Sequence, residues 1–471
     1  MVREGGHAQT HRHHSRPSRC AQGAEKGNLT TPLCLENKDD AITWGFELPH
    51  KLQGKAHHPK RQVTRKFGMT VNVSTELWYS LDPMRVFILG VGATGSLLAK
   101  LLIRQGHQVA CGDRDPVRAR AFLGEHSTLV IQRVNARNSR SIVKAAKGYH
   151  LLVNACPAVF NKTILRAALR LRAHYIDTAS HLTQSPFRPE QHRFDRLFRE
   201  KNRLALIHAG AAPGLTNLLA MQAAAGLDTT ERIQVRLFEE TASDNPVSQW
   251  SADDSFNEAV SRPPIYRNGR FEFGKRFGER ELFRFPSPIG QVGVLLAAQE
   301  EVVTIPHVLR VREMDAKIGG IDMERLRRWY RQGKLNRSRG LVAARFPITP
   351  TPRAMSKLVR RGILRNERFA AAVLVYGRRR TGPFMIRWDA LFPSLFELRQ
   401  RGLTCSPVAW SAAHLTALFV KHMPRELAGV YVPEALPVAT RRNILRAVRL
   451  SGIRLTRKVT RLKPSDETHD S

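Results

Sequence analysis

Residues 84 to 95 read Met84-Arg-Val-Phe-Ile-Leu-Gly-Val-Gly-Ala-Thr-Gly95, an apolar run that stops on Gly90, Gly92 and Gly95 where a helix-like stretch, Ser96 to Arg104, begins. A strand feeding a G-x-G-x-x-G turn and then a helix is how a nicotinamide or flavin dinucleotide is held. Gly90 permits the tight turn, Gly92 lets the backbone approach the pyrophosphate, and Gly95 allows close helix–strand packing. The helix N-terminus, at Ala93 and Thr94, supplies free N–H groups and a partial positive charge. The same string in an unrelated α/β domain would be a surface glycine loop; here the strand before it and the helix after it favour the dinucleotide. A second strand, Gln108 to Gly112, ends at Asp113, about 20 residues on, where an acidic residue meets the adenosine ribose. Asp113 would accept the ribose hydroxyls of NAD and repel a 2′-phosphate. Arg114 beside it would instead stack on adenine or pair with that phosphate, so NAD or NADP is expected, with NAD favoured.

From Met84 onward strand and helix alternate, the signature of a doubly wound parallel sheet. Strands are expected at 85–89, 108–112, 128–134, 150–155, 173–177 and 204–208, and helices at 95–105, 116–123, 139–146, 161–171 and 190–202. Residues 84–212 therefore form a Rossmann-type domain. Beyond Pro213 the runs lengthen: Arg232 to Glu239, Gly293 to Leu296 with Val302 to Ile305, and Arg368 to Arg378 read as strands, and 214–225, 323–332, 352–362 and 409–422 as helices. Residues 213–408 thus make a second α+β domain with a mixed or antiparallel sheet, serving substrate binding and dimerisation. Residues 409–456 return toward the first domain, and 457–471 form a charged tail.

Residues 1–83 carry His11-Arg-His-His14, scattered Gly, Ser and Pro, and no sustained period of 2 or 3.6. They cannot bury enough surface to offset the entropy of ordering, so a disordered leader is expected. Met84, or Met69, would then be the biological start. The irregular histidine spacing fits a solvated tail better than a metal site, and the five cysteines lack C-x-x-C pairing, so neither zinc nor a disulfide framework is expected. No apolar run approaches the ~18 residues of a membrane span, so a soluble protein is expected, and the scattered cysteines fit a reducing cytoplasm.

The chain has 76 Lys and Arg against 40 Asp and Glu, a net charge of +36. Such an excess raises nucleic acid or an anionic membrane as a partner. The arginines recur along nearly every expected helix rather than in one stripe with interleaved aromatics, which favours solvated faces; a polyanion surface stays the alternative.

Three later blocks, with the glycine turn, carry a family likeness. They are Val153-Asn-Ala-Cys-Pro157, His174-Tyr-Ile-Asp-Thr-Ala179 and Ala211-Ala-Pro-Gly-Leu-Thr-Asn217, followed in order by Glu301 to Pro306, Lys317 to Gly320 and Gly429 to Glu434. From about 84 to 456 the chain resembles the glutamate-forming saccharopine dehydrogenase (saccharopine reductase) family and its carboxynorspermidine dehydrogenase relatives. The resemblance implies a homodimeric NAD(P)-dependent oxidoreductase with an amino-acid-derived substrate, interconverting a secondary amine and an imine. Asn154, Ala155 and Pro157, at the end of the fourth strand, would flank the nicotinamide ribose. Pro213, Gly214, Leu215, Thr216 and Asn217 open a helix whose free N–H groups could hold a substrate carboxylate, or form a plain domain-crossing turn. Asp177, at the end of the fifth strand, could orient substrate or ribose, or cap the next segment. Asp195 precedes Pro213 at the distance of a substrate-site aspartate in the fungal enzyme, which implies a catalytic-site role, although a surface helix acid with arginine partners fits as well. Lys317 and His307 are further possible contacts. Saccharopine bears three carboxylates, so cleft arginines could clamp it. The alternative function is a non-catalytic dinucleotide-binding protein that meets polyanions through its arginines.

Overall fold

A computed structural model describes residues 83–124, 127–182, 185–335 and 347–463. The expected leader and the end of the charged tail lie outside the described residues. The first half holds β1 (Arg85–Leu89), α1 (Ala93–Arg104), β2 (Gln108–Asp113), α2 (Pro116–Leu123), β3 (Ile131–Arg133), α3 (Ser139–Ala145), β4 (Leu151–Asn154), α4 (Asn161–Leu171), β5 (His174–Asp177), α5 (Asp195–Glu200) and β6 (Leu204–Leu206). The last four residues of β1, and all of β4 and β6, are buried, as strands must be when helices cover both sheet faces. Caps set the helix starts: Asp115 accepts from the backbone N–H of Val117 and Arg118 ahead of Pro116 in the first turn of α2, and Asn138 accepts from Arg140 and Ser141 at α3.

The second half runs through α6 (Leu215–Ala224), β7 (Thr229–Ser243), α7 (Ala252–Val260), β8 (Pro264–Arg267), β9 (Arg270–Phe273), β10 (Glu281–Phe285), β11 (Gly290–Leu296), α8 (Glu300–Val308), β12 (Glu313–Gly319) and α9 (Ile321–Arg331). After these come α10 (Pro352–Arg360), β13 (Leu364–Arg379), β14 (Gly382–Leu391), α11 (Leu395–Gln400), α12 (Pro407–Lys421), β15 (Gly429–Tyr431), α13 (Val438–Arg449) and β16 (Arg454–Arg461).

The first sheet is parallel throughout, in the order β15-β6-β5-β4-β1-β2-β3. Its order reverses between β1 and β4, so the crevice outside their carboxyl ends is the ligand position of such a sheet. The second sheet runs β10-β11-β12-β7-β13-β14-β16, with β8 on β12 and β9 on β8. It is mixed: β7 and β12 are parallel and the other pairs antiparallel. A shared apolar core spans both halves, from Leu98 and Leu102 of α1 to Leu415 and Leu418 of α12 and Val373 of β13.

Two expectations are corrected. Val302 to Ile305 are helical, inside α8, rather than a strand. All of Glu300 to Ile305 are buried, and a short apolar run buried on every side has no period to tell helix from strand. Residues 457–461, expected in the tail, complete β16, which pairs along the whole of β14.

The middle of the second sheet is tied by charge. Arg236 of β7 is fully buried and pairs with Glu281 of β10 and Asp315 of β12, while Lys317 reaches the same Glu281 at 2.7 Å. Removing one member of a buried pair leaves the other uncompensated. Arg236→Met is therefore expected to destabilise the protein by about 3 kcal/mol, read from urea melts; an unchanged midpoint would show that the network contributes nothing.

Candidate active site at the sheet edge

The turn after β1 has the geometry its glycines allow. Gly90 has φ +88°, and a Cβ there would lie 2.6 Å from the carbonyl oxygen of Ala155. A Cβ on Gly95 would lie 1.9 Å from the carbonyl oxygen of Gly90. Both glycines are thus forced by close backbone approach, which brings the start of α1 against the end of β4. Gly92 differs: a Cβ there would meet nothing within 4 Å. No side chain caps α1, so the N–H groups of its first turn have no partner within the helix, and Gly92, Ala93 and Thr94 are only half-buried at that end. This cradle fits a pyrophosphate.

Asp113 ends β2 beside the turn. Its Oδ2 accepts from Val91 N at 2.7 Å and its Oδ1 from Asp115 N at 2.9 Å. The carboxylate therefore clasps the glycine turn itself, and its remaining lone pairs are what a ribose would meet. Arg114 is exposed beside it.

Behind the crevice lies a buried polar network. The Asn154 amide donates to Asn161 Oδ1 (2.7 Å) and Tyr175 Oη (3.1 Å), and its Oδ1 accepts from Cys156 N. Tyr175 donates to Asp177 Oδ2 at 2.8 Å, Gln191 donates to the same oxygen, and His208 N donates to Oδ1. Burial pushes the Asp177 carboxyl up to about 7 despite these donors, and holds the His208 imidazole down at about 3. Ser180 Oγ bonds both His208 Nε2 and Gln191. Asn154 and Asp177 thus fix the ends of β4 and β5 relative to each other, a positioning function in which Asp177 has several donors of its own.

The crevice opens into a cavity of about 180 Å³ lined from both halves. The first half contributes Thr94, Asn154, Ala155, Asp177 and the turn Gly210 to Pro213; the second contributes Glu239 of β7, Asp254 and Glu258 of α7 and Glu300 of α8. Asp254 accepts from Ala158 N at 3.2 Å, joining α7 to the segment after β4. Glu300 accepts from Ser180 N at 2.9 Å, and Glu258 accepts from Gln299 at 2.7 Å. Burial raises the Glu300 carboxyl to about 8; burial and the nearby Asp322 raise Glu239 to about 7. Burial, then the charges of Glu239 and Glu300, pushes Glu258 well up.

Of the residues expected at the site, the structure places Thr94, Asn154, Ala155, Asp177 and Pro213 around this one cavity, while Pro157 caps the short turn at 158–160 beside it. The start of α6 departs from expectation. Its N–H groups are not free: Gly214 N donates to Asn217 Oδ1, Leu215 N to Gly210 O and Thr216 N to Ala211 O. The Thr216 and Asn217 side chains are buried against Glu301 and Glu434. Gly214 to Asn217 therefore close the domain crossing, and only Pro213 of this group faces the cavity. Asp195 lies elsewhere, at the first turn of α5, with one oxygen accepting from Val430 N and the other paired with Arg199 at 2.8 Å; it holds β15 to the first sheet. Lys317 belongs to the Arg236 network, and His307 packs against Phe271.

The sequence reading missed Glu239, Asp254, Glu258 and Glu300. Asp254 and Glu258 are one helical turn apart, and Glu300 opens α8 next to the Glu301 block, but α7 itself showed no period strong enough to be recognised. Among the described residues no group of His, Cys, Asp and Glu has metal-site geometry.

Residues 86–206 match the family model described as the saccharopine dehydrogenase NADP-binding domain. That segment is similar to the cofactor-binding domain of the saccharopine dehydrogenases. Among solved structures it is similar to the apo, histidine-tagged, L-Glu-forming saccharopine dehydrogenase of Saccharomyces cerevisiae, with a TM-score of 0.59, 10% identity, and 80% of this chain and 100% of that chain covered. At that identity the likeness is one of fold. DAP dehydrogenase of C. glutamicum, solved with DAP, aligns over 76% of this chain and 95% of its own at 13% identity, with a TM-score of only 0.38. Residues 86–206 therefore carry an NAD(P)-binding fold of the kind found in saccharopine dehydrogenases, with the glycine turn inside the matched segment. Among the described residues no helix is long and apolar enough to cross a membrane.

Because the space over Gly92 is empty of protein, Gly92→Val is expected to leave the fold intact and to weaken NAD(P)H binding at least tenfold, ~1.4 kcal/mol. Fluorescence titration with NADH and NADPH checks this, and wild-type affinity would place the pyrophosphate elsewhere.

Proposed function

We propose that the chain interconverts an amino-acid-derived secondary amine and an imine by hydride transfer with NAD(P). The observation that carries this reading is that the dinucleotide crevice and the carboxyl-lined cavity are continuous: Thr94 and Ala155 line the same space as Asp254 and Glu300. When bound, the dinucleotide supplies the hydride acceptor or donor, and the protein's part is position and electrostatics.

In the oxidative direction the substrate C–H bond breaks with both electrons leaving on hydrogen, and a C=N bond forms. A secondary amine that arrives as its ammonium first gives one proton to an acceptor, and loss of hydride from the neutral amine then leaves a cationic iminium. Glu300 suits the first task. It is nearly buried, held by Ser180 N, and its carboxyl lies at about 8, close to working pH. Asp177, with three donors fixing it, positions the floor beneath the reacting atoms. Asp254 faces the same space and favours the developing positive charge.

Glu300→Gln keeps shape and removes the proton acceptor, so kcat for amine oxidation is expected to fall by about 10² to 10⁴. The wild-type rise of kcat/KM with pH through about 8 should disappear in that variant. Retention of both rate and pH limb would move the proton to another group.

We further propose NAD ahead of NADP, because Asp113 occupies the ribose position with its carboxylate fixed by two backbone donors. The same assay run with each cofactor decides: a tenfold or greater kcat/KM advantage for NADP, ~1.4 kcal/mol, would show Arg114 in control.

A further inference from the structure

Much of the arginine on this surface is partnered. On α5 Arg196 pairs with Glu200 and Arg199 with Asp195, and in the second half Arg325 pairs with Asp322, Arg327 with Glu324 and Arg387 with Asp389. The groove between α3 and α4 differs. It is open, holds about 500 Å³, and takes Arg137 and Arg140 from around the start of α3 and Arg166 and Arg170 from α4. All four are exposed, and no aspartate or glutamate is among the described residues that line the groove.

The arginines are also held in place. Arg170 donates to Ser139 Oγ at 3.0 Å, tying the end of α4 to the first residue of α3, and the Arg166 guanidinium lies 5.9 Å from the centre of the Phe194 ring. Arg166 and Arg170 are one turn apart on one face of α4, about 6 Å along the axis, a step comparable to that between successive phosphates of an extended strand. The rest of the lining is amide and hydroxyl side chains, which suit phosphate and sugar oxygens. Packed helices stand about 8 to 10 Å apart, so the groove between them admits one strand and excludes a duplex. With no apolar lining residue, it lacks the anchor of a membrane-surface site and a platform on which bases stack.

The cavity between the halves has the opposite character. Five carboxyl groups line it and, among the described residues, neither lysine nor arginine does, so a clamp of cleft arginines on a polycarboxylate does not form there. No residue lines both the cavity and the groove.

We propose that the groove between α3 and α4 is a nucleic-acid site, in which Arg137, Arg140, Arg166 and Arg170 hold the phosphate backbone of a single strand without reading its sequence. Each guanidinium fork matches a phosphate bidentately. This is a binding activity of the first half, separate in place and in chemistry from the redox reading.

The test is fluorescence anisotropy of a labelled oligouridylate of about 15 nucleotides with the full chain and NADH, from ~0.05 to ~0.2 M KCl. The variants are Arg166→Gln/Arg170→Gln and the control Arg360→Gln/Arg361→Gln, which removes two exposed arginines of the second half. The expected result is saturable binding by wild type, with a salt slope of about 3 for four phosphate contacts on a single strand. In the groove variant affinity at the lowest salt falls by about tenfold or more, and the slope by about 1.4. The control changes by about twofold or less, because charges beyond a Debye length are screened. A duplex of the same length binds more weakly than the single strand. Equal losses in the two variants, a duplex bound as tightly as the single strand, or no binding at the lowest salt overturns the proposal. Groove-dependent cosedimentation with phosphatidylserine vesicles, in place of oligouridylate binding, assigns the groove to a membrane instead. Should the groove variant not fold, ultraviolet crosslinking of wild type to a thiouridine-substituted oligomer, mapped by mass spectrometry, decides: crosslinks in α3 and α4 support the site, and crosslinks confined to other elements overturn it.

Discussion

Everything at the site depends on three backbone segments meeting at less than a side chain's separation. The carbonyl of Gly90 points at the Cα of Gly95, and the carbonyl of Ala155 points at the Cα of Gly90; a methyl group on either glycine would overlap the oxygen it faces. This contact sets the angle at which α1 leaves β1 and the distance from that helix to the end of β4. Asp113 adds a third tie by accepting from Val91 N. With the turn fixed so tightly, the one glycine without neighbours, Gly92, is left facing the crevice. The open space is the by-product of close packing on either side of it.

The second half of the molecule is arranged around that crevice by buried polar contacts more than by apolar ones. Glu300 reaches Ser180, Asp254 reaches Ala158, Thr216 reaches Glu301, and Asn217 reaches Glu434. All four join residues far apart in sequence, the first two across the seam between the halves and the last two within the second half, and each is short-ranged and directional. The seam is therefore specified by hydrogen-bond geometry, while the shared core around α1 and α12 supplies the bulk of the burial.

The first half was legible because its strands are continuous apolar runs between capped helices. The observed β1, α2 and α4 begin and end where the sequence placed them, since Pro116 and Asp115 mark one start and buried apolar positions the rest. In the second half β12, β14 and β16 went unread. β16, Arg-Leu-Thr-Arg-Lys-Val-Thr-Arg, has only Leu455 and Val459 among charged and hydroxyl residues on an edge, and its charges resemble those of a tail until β14 is seen beside it. β12, Glu-Met-Asp-Ala-Lys-Ile-Gly, keeps the period of two, with Asp315 and Lys317 at its polar positions in the Arg236 network, so its signal was present but short and flanked by charge. The acidic cavity was invisible for a related reason. Its carboxyls come from β5, β7, α7 and α8, and no local pattern links residues that only the crossing of two sheets brings together.

The chain leaves the first sheet at Gly210 to Pro213, comes back to add β15 at its edge, and leaves again for β16. β15 covers β6, with Ile207 N donating to the carbonyl of Tyr431, and Asp195 waits on α5 for Val430 N. During synthesis from the N-terminus, β6 therefore presents a bare, apolar, unpaired edge until residue 431 has cleared the ribosome, after more than two hundred intervening residues have emerged. Such an edge is a template for pairing with any other strand. The nascent protein must hold its nucleotide-binding half in an unfinished state through most of its own translation, and a truncated product would carry that edge permanently.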